Sequence, residues 1–262
     1  MKVAISGKGG VGKTTLSAML AATLALKQRR VIAVDADPDA NLPLALGVPA
    51  DQEPTPLSEM KELIAERTGS AKAYGGYFKL NPKVDDIPDK YARRIGAIRL
   101  LVLGGISKGG EGCLCPATAL LKALLVHLAV GRDEALVMDM EAGLEHLGRA
   151  TAQSMDALLV VVDGDPWSRQ TARRIRKLAG DAGIKRLFAV ANRAADEATL
   201  REIQADIPQL PLIANIPEDK RLHGGIIRLE GENMRPQKVL EEHLPAIEKI
   251  IREIDRRTAE PS

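Results

Sequence analysis

Apolar runs of strand length alternate with segments of helical periodicity along this chain, and this alternation restricts the fold more than any other feature. The runs lie at Val3–Ser6, Val31–Asp35, Leu100–Leu103, Leu136–Asp139, Ala157–Val162, Leu187–Ala191 and Leu212–Ala214. Such an order implies right-handed crossovers and a mostly parallel sheet with helices on both faces. Ligands of such α/β folds bind at the carboxyl ends of the strands. We therefore expect a functional site at that edge.

The composition agrees with helices packed on a parallel sheet. The 262 residues are 45% hydrophobic but only 2% aromatic, so the core must be built from Ala, Val, Leu and Ile. A chain of this length can bury one sizeable core, which predicts a single domain over residues 1–262. Weak periodicity and prolines predict an irregular insertion around residues 49–96, with one helix at Leu57–Arg67 that ends at Gly69.

Charge and hydropathy exclude several classes of protein. The 37 basic and 35 acidic residues give a formal charge of +2, too small for a nucleic-acid binder that acts through its overall field. The first residues lack the pattern of a signal peptide, and no uncharged stretch is long enough to span a bilayer. We expect a soluble, cytoplasmic protein with neither nucleic acid nor membrane as a partner.

A glycine-rich loop follows the first apolar run. Residues 7–15, GKGGVGKTT, fit the pattern G-x-x-x-x-G-K-[ST]. The glycines let backbone N–H groups turn toward phosphate oxygens, Lys13 adds charge, and the Thr14 hydroxyl suits Mg²⁺. The helix that begins there directs its positive end at the anion. The predicted nucleotide-binding residues of this loop are Gly7, Lys8, Gly9, Gly10, Val11, Gly12, Lys13, Thr14 and Thr15.

Polar residues end three further strands. Residues 35–41, DADPDAN, supply carboxylates that could orient an attacking water or hold a metal-bound one. Asp139 is expected to bind Mg²⁺ through water, and Gly143 to offer its N–H to a γ-phosphate. Residues 191–196, ANRAAD, place the acid one residue too far for guanine recognition, which favours ATP. Asn192 is a candidate to hydrogen-bond adenine; the alternative is that it caps the next helix.

The second lysine of the loop, Lys8, carries a family resemblance. A loop that begins Gly-Lys-Gly-Gly resembles the deviant Walker A ATPases, which include MinD, ParA, the arsenical pump ATPase and the nitrogenase iron protein. The resemblance implies a P-loop NTPase fold and a homodimer that sandwiches ATP, with Lys8 reaching the partner's nucleotide. It also implies that Asp37 positions water, so that Lys8, Lys13 and Asp37 are catalytic while Asp35 and Asp39 are structural. The alternative for Lys8 is a local positive charge only.

Cys113 and Cys115 are the only cysteines, one residue apart, between GGEG and Pro116. The glycines permit the bend that brings two sulfurs together, and a following helix N-terminus would lower their thiol pKa. Two thiolates are half of a tetrahedral metal site, and a two-fold axis would supply the other half. We therefore expect a metal site shared across the dimer. A buried pair of small apolar side chains and a redox dithiol are the alternatives.

Four segments together, GKGGVGKTT, DADPDAN, GGEGCLCP and DMEAGLEHLGR, closely resemble the CooC-type accessory ATPases. Those proteins support nickel insertion into carbon monoxide dehydrogenase, and a related ATPase loads nickel into acetyl-CoA synthase. The resemblance implies ATP, Mg²⁺ and a Ni²⁺ or Zn²⁺ ion on Cys113 and Cys115 of both subunits, with one of these enzymes as client. One departure is GRATA after EHL, where GRGTA is expected.

Two other functions fit parts of the chain. A ParA- or MinD-like positioning protein is supported by the basic run RRIRK, residues 173–177, and by a C-terminal basic helix with an apolar stripe of Ile247, Ile250, Ile251 and Ile254. That function leaves the cysteines without a task. The second is an iron–sulfur reductase that resembles the nitrogenase iron protein, which also holds a cluster across its two-fold axis. The cluster ligands of that protein lie far apart in sequence, unlike Cys113 and Cys115.

Overall fold

An eight-stranded sheet forms the centre of the computed structural model, which describes residues 1–70, 77–104, 115–130, 134–143, 149–222, 227, 229–230 and 235–259. The strand order is β3-β4-β2-β5-β1-β6-β7-β8, and only β3 is antiparallel to its neighbour. The strands are β1 (Lys2–Gly7), β2 (Val31–Asp35), β3 (Arg93–Ile95), β4 (Ile98–Val102), β5 (Ala135–Asp139), β6 (Ala157–Val162), β7 (Leu187–Asn192) and β8 (Leu212–Ile216). The prediction of a mostly parallel sheet is confirmed.

Helices cover both faces of the sheet, which also confirms the prediction. They are α1 (Lys13–Leu26), α2 (Leu42–Ala45), α3 (Lys61–Thr68), α4 (Ile87–Lys90), α5 (Pro116–Val130), α6 (Arg149–Gln153), α7 (Pro166–Ala182), α8 (Glu197–Asp206) and α9 (Lys238–Ala259). Side chains of α1, α2 and α9 pack with Val3 and Ile5 of β1, whereas those of α3, α5, α7 and α8 share a cluster with Ala4. Because successive strand residues point to opposite faces, the sheet separates two apolar cores.

Every apolar run identified in the sequence forms a strand, with bounds that move by a few residues at most. The structure adds β3, a three-residue edge strand in which Arg93 and Arg94 are exposed and only Ile95 packs against the core. The helix predicted at Leu57–Arg67 is divided into a 3₁₀ turn at Leu57–Glu59 and α3. Gly69 ends α3 as expected, in a left-handed conformation with φ of 74°.

The segment predicted as an irregular insertion is held together by an internal ion pair and attached to the core by apolar contacts. Arg67 at the end of α3 donates to both carboxylate oxygens of Asp86, at 2.9 and 2.8 Å. Val84 and Ile87 lie in the same buried cluster as α5. The short helices α3 and α4 therefore pack on one face of the sheet, and β3 extends its edge. A single domain over residues 1–262 stays a prediction.

The apolar stripe of α9 is buried against α1 and the sheet. Its isoleucines Ile247, Ile250, Ile251 and Ile254 are at most 4% exposed. These four side chains pack into the core of the protein, so they do not form a free apolar surface that could lie on a membrane. Within the described ranges, no helix is long and apolar enough to cross a bilayer.

Two carboxylates are buried side by side where β2 and β5 end. Asp35 and Asp139 are partners in the strand register, and both are 0% exposed. Asp35 accepts hydrogen bonds from the backbone N–H groups of Asp37 (3.0 Å) and Leu42 (2.8 Å), which fixes the loop into α2. Burial, together with the charge of Asp139, raises the pKa of Asp35 to about 7. Burial raises the pKa of Asp139 to about 6.

These raised pKa values make the stability of the ligand-free protein depend on pH. Both carboxyl groups ionise near pH 4 in the unfolded chain and well above that in the folded protein. Between those values the folded state holds protons that the unfolded state has released. The free energy of unfolding must therefore fall as the pH rises from about 4 to about 7.

We expect the Asp35→Asn substitution to reduce this fall. Asparagine does not ionise, and it also removes the neighbouring charge that opposes ionisation of Asp139. Urea unfolding should be measured at about pH 5 and pH 8. The loss of unfolding free energy between these pH values should be smaller in this variant than in the unsubstituted protein by at least about 1 kcal/mol. Asp39→Asn, at an exposed position, is the control and should leave the loss intact. An equal loss in Asp35→Asn would contradict the assignment.

Candidate functional site

The glycine-rich loop leaves the sheet at the end of β1 and enters α1 at Lys13. Two of its glycines are required by space and backbone conformation. A Cβ atom on Gly7 would lie 2.6 Å from the Val161 carbonyl oxygen, and one on Gly12 would lie 2.2 Å from Asn192 Nδ2. Gly12 also has φ of 97°, in the left-handed region. Only glycine fits both positions, as a loop that wraps backbone N–H groups around phosphate requires.

The end of β7 holds the outer side of this loop. Asn192 Nδ2 donates to the Val11 carbonyl oxygen at 2.8 Å, and Arg193 Nη2 donates to the Gly10 carbonyl oxygen at 2.8 Å. Arg193 also pairs with Asp163 at 3.1 Å, after β6. Two consecutive peptide units of the loop are thus anchored by two consecutive residues. Asn192 does not cap the next helix, since Asp196 does so; a contact with adenine stays a prediction.

Sequence reasoning missed Arg193, although a signal was present. A cation that directly follows a strand lies at the ligand-binding edge of a parallel sheet. Arg193 has φ of 58°, a conformation that costs a non-glycine residue free energy and persists only where other contacts hold it. Its side-chain bonds to Gly10 and Asp163, and its backbone N–H bond to the Ile216 carbonyl oxygen at 2.8 Å, supply such contacts.

The two lysines of the loop have different surroundings. Lys13 is 7% exposed and its Nζ lies 3.4 Å from the Lys8 carbonyl oxygen, inside the loop. Lys8 extends outward, and its Nζ pairs with Asp165 Oδ2 of the same chain. Asp165 caps α7 by accepting a hydrogen bond from the Trp167 N–H, and the bond from Lys8 lowers the pKa of its carboxyl group. Lys8 is therefore the more exposed charge of the loop and Lys13 the buried one.

The residues predicted to hold Mg²⁺ lie together beneath the loop. Ser17 Oγ, one turn after Lys13, donates to Asp139 Oδ1 at 3.0 Å. The hydroxyls of Thr14 and Ser17 and the charge of Lys13 oppose the effect of burial on the pKa of Asp139. Asp139 Oδ2 is buried and has no hydrogen-bond partner among the described residues. A buried carboxylate oxygen that lacks a donor fits the hydrated cation that the motif implies.

The two predicted switch segments border the same site. Asp37 is half-exposed, and its Oδ1 accepts a hydrogen bond from the Asp39 N–H at 3.1 Å. The charge of Asp37 contributes to the raised pKa of Asp139, the carboxylate predicted to bind Mg²⁺. Gly143 is buried beside β1, where Ser6 Oγ lies 3.4 Å from its carbonyl oxygen. The Gly143 N–H donates to Glu141 at 2.7 Å and must leave that bond to reach a phosphate.

Cys115 precedes the first residue of α5, and Cys113 lies outside the described residues. The Cys115 sulfur lies 3.1 Å from Thr118 Oγ1 and accepts a hydrogen bond from the Thr118 N–H at 3.4 Å. The bond from the Thr118 side chain lowers the pKa of the Cys115 thiol, against the effect of its partial burial. Thr118, which sequence reasoning missed, is the third residue after the cysteine, the usual spacing of a helix cap. The thiolate is thus favoured at this position.

The predicted residues therefore fall into two groups. The loop from Gly7 to Thr15, with Asp37, Asp139, Gly143 and Asn192, meets at the carboxyl edge of the sheet. Cys115 begins a helix on one face, and the described part of the chain contains no cluster of three or more His, Cys, Asp or Glu side chains arranged to hold a metal ion.

Known proteins resemble this chain in sequence and in fold. A family model for the CobQ/CobB/MinD/ParA nucleotide binding domain matches residues 2–230. The chain is 46% identical to an uncharacterized ATP-binding protein of Methanocaldococcus jannaschii, over 85% of this chain and 87% of that protein. It is 44% identical to the carbon monoxide dehydrogenase accessory protein CooC of Rhodospirillum rubrum, over 85% of each.

A solved structure has the same fold at lower identity. The septum site-determining protein MinD of Pyrococcus horikoshii, complexed with Mg-ADP, aligns with a TM-score of 0.64 at 22% identity, over 98% of this chain and 97% of that one. The sheet order, the glycine loop and the buried acid at the end of β5 agree with the family match. The chain belongs to the CobQ/CobB/MinD/ParA nucleotide-binding family, as an ATPase related to CooC.

Proposed function

We propose that this protein is a cytoplasmic metallochaperone ATPase that assists nickel insertion into a carbon monoxide dehydrogenase or an acetyl-CoA synthase. The observation that carries the proposal is the Cys115 thiol at the start of α5, in a setting that favours the thiolate, within an ATPase fold. The name of the relative CooC describes an accessory protein of carbon monoxide dehydrogenase. An identity of 44% over 85% of the chain supports a client of that kind.

The metal site is proposed to be shared by two copies of the chain. Cys113 and Cys115 supply two sulfur ligands, and a soft, four-coordinate site needs four. In an isologous dimer the same loop of each subunit meets at the axis, so two pairs complete the site. Ni²⁺ and Zn²⁺ both suit such ligands, because the affinity order alone does not select between them.

Dimerisation is proposed to depend on the release of Lys8 from its own chain. In the single chain Lys8 is paired with Asp165, and both side chains are partly exposed, at 40% and 32%. A lysine that acts on the partner's nucleotide must leave this pair. Exposed pairs contribute little stability, so a bound triphosphate in the partner would compete effectively for the charge. The pair thus opposes dimerisation until ATP is bound.

Hydrolysis is proposed to follow from the two switch segments. Asp37 orients the water that attacks the γ-phosphate, while Lys13 and the loop N–H groups stabilise the charge that develops. Mg²⁺, held through Thr14 and Asp139, would neutralise charge on the phosphates. Loss of the γ-phosphate lets the Gly143 N–H return to the Glu141 carbonyl oxygen, the bond that it makes in this structure. The dimer geometry changes with this movement. The thiolate site moves with the dimer.

We expect Lys8→Ala and Asp165→Asn to change ATP-dependent dimerisation in opposite directions. Asparagine retains the cap on α7 but removes the charge that holds Lys8. In an Asp37→Asn background, which slows hydrolysis, sedimentation with Mg-ATP should show dimerisation that is about two- to fivefold tighter for Asp165→Asn. Lys8→Ala should weaken it. Identical dimerisation in both variants would remove the basis for a role of Lys8 in the partner's site.

The metal site predicts one Ni²⁺ or Zn²⁺ ion per two chains in an anaerobic titration. Replacing Cys113 and Cys115 by alanine should abolish tight metal binding and the activation of a co-produced carbon monoxide dehydrogenase by nickel, while nucleotide still binds. Thr118→Val removes the side-chain hydrogen bond that lowers the pKa of the Cys115 thiol, so it should weaken metal binding near pH 7, with recovery at higher pH. One tight ion per chain, or full binding in the double variant, would refute the shared site.

A further inference from the structure

A basic cavity lies at the edge of the sheet opposite the nucleotide loop. Its volume is about 570 Å³, and it is an open depression lined by the C-terminal half of α7, the turn into β7, the connection from α8 to β8 and one arginine of α9. β7 begins here at Leu187 and ends near the nucleotide loop at Asn192. The six residues of this strand separate the two sites by about 17 Å. The cavity is therefore a separate site.

Five cations line the cavity: Arg176 and Lys177 of α7, Lys185 and Arg186 of the following turn, and Arg257 of α9. Arg257 is already paired with Glu253 at 2.7 Å. The other four make no side-chain hydrogen bond or ion pair with a described residue, and the cavity lining contains no carboxylate. Like charges that line one cavity repel one another, and an anionic ligand would relieve that repulsion.

The floor of the cavity is apolar. Its accessible apolar residues are Leu187, which is half-buried, and Pro211, which is exposed; Ile184 and Leu210 also line it but are buried. A ligand that fits this lining combines several negative charges with an apolar group between them. A protein segment with an apolar side chain between carboxylates has this chemistry.

The features that would favour nucleic acid are lacking at this site. Phe188 is 1% exposed, and the Arg257 guanidinium covers its ring at 5.3 Å, so it offers no surface on which a base could stack. The basic run at residues 173–177 does not form one stripe along a duplex, because Ile175 is buried and Arg173 donates to the Asp206 carbonyl oxygen. Its last two cations face the cavity instead.

We propose that this cavity is a docking site for an acidic segment of a partner protein, which inserts an apolar side chain between flanking carboxylates. The site is independent of the proposed metal chemistry, since neither the glycine loop nor Cys115 contributes to it. Binding there leaves the nucleotide edge of the sheet free.

Fluorescence anisotropy with labelled peptides at physiological salt tests the proposal. The peptide EEELEEE should bind the full chain, and EEESEEE should bind at least about fivefold more weakly because it lacks the side chain for the apolar floor. Arg176→Glu and Lys185→Glu, on different elements, should each weaken EEELEEE binding by about tenfold or more. ATP hydrolysis should be unchanged in both.

The matched control is Arg174→Glu, an exposed position on the same helix that makes the same change in net charge but does not line the cavity. Its affinity should stay within about twofold of the unsubstituted protein. Equal loss in Arg174→Glu and Arg176→Glu, equal affinity for the two peptides, or no binding of EEELEEE would overturn the proposal. Tighter binding of a mixed-sequence DNA duplex that Arg176→Glu and Lys185→Glu abolish would assign the cavity to nucleic acid instead.

Discussion

Parallel pairing of β1 with β5 on one side and β6 on the other determines where every group of the nucleotide site can lie. Ile5 is opposite Asp139, and Gly7 is opposite Val161, so the glycine loop leaves the sheet between the ends of its two neighbours. Asp139 is thereby placed under the loop, and Asp163 beside it. A shift of β1 by one residue would reverse its buried faces and separate the loop from both acids. The apolar residues on either side of β1 thus hold the catalytic edge in register.

The sequence predicts the sheet well where strands are buried on both faces, because continuous apolar runs are the direct consequence of that burial. The same reasoning fails at the rim. β3 has two exposed arginines, so nothing in Arg93–Ile95 distinguishes it from a loop until β4 is beside it. The predicted helix at Leu57–Arg67 is broken at Met60, where the backbone leaves the helical region although side-chain periodicity continues.

Within the site, groups encoded by a local motif are predictable and groups supplied by distant segments are not. The loop and its magnesium-binding acid follow from short patterns at strand ends. The contact between Lys8 and Asp165 joins residues 157 positions apart, and that of Arg193 with Gly10 joins residues 183 apart. No periodicity or spacing encodes such pairs, since they depend on which strands become neighbours in the sheet. Asn192 shows the same limit: its position at a strand end was predictable, its partner was not.

Helix α7 connects two edges of the molecule that sequence comparison would treat as unrelated. Asp165 caps its N-terminus and pairs with Lys8 of the glycine loop, and its later turns carry Arg176 and Lys177 at the basic cavity. One inserted residue would rotate everything beyond it by about 100° and advance it by about 1.5 Å, which turns the cations away while the cap stays fixed. Relatives that use both ends should therefore vary in the identity of residues along α7 but keep its length.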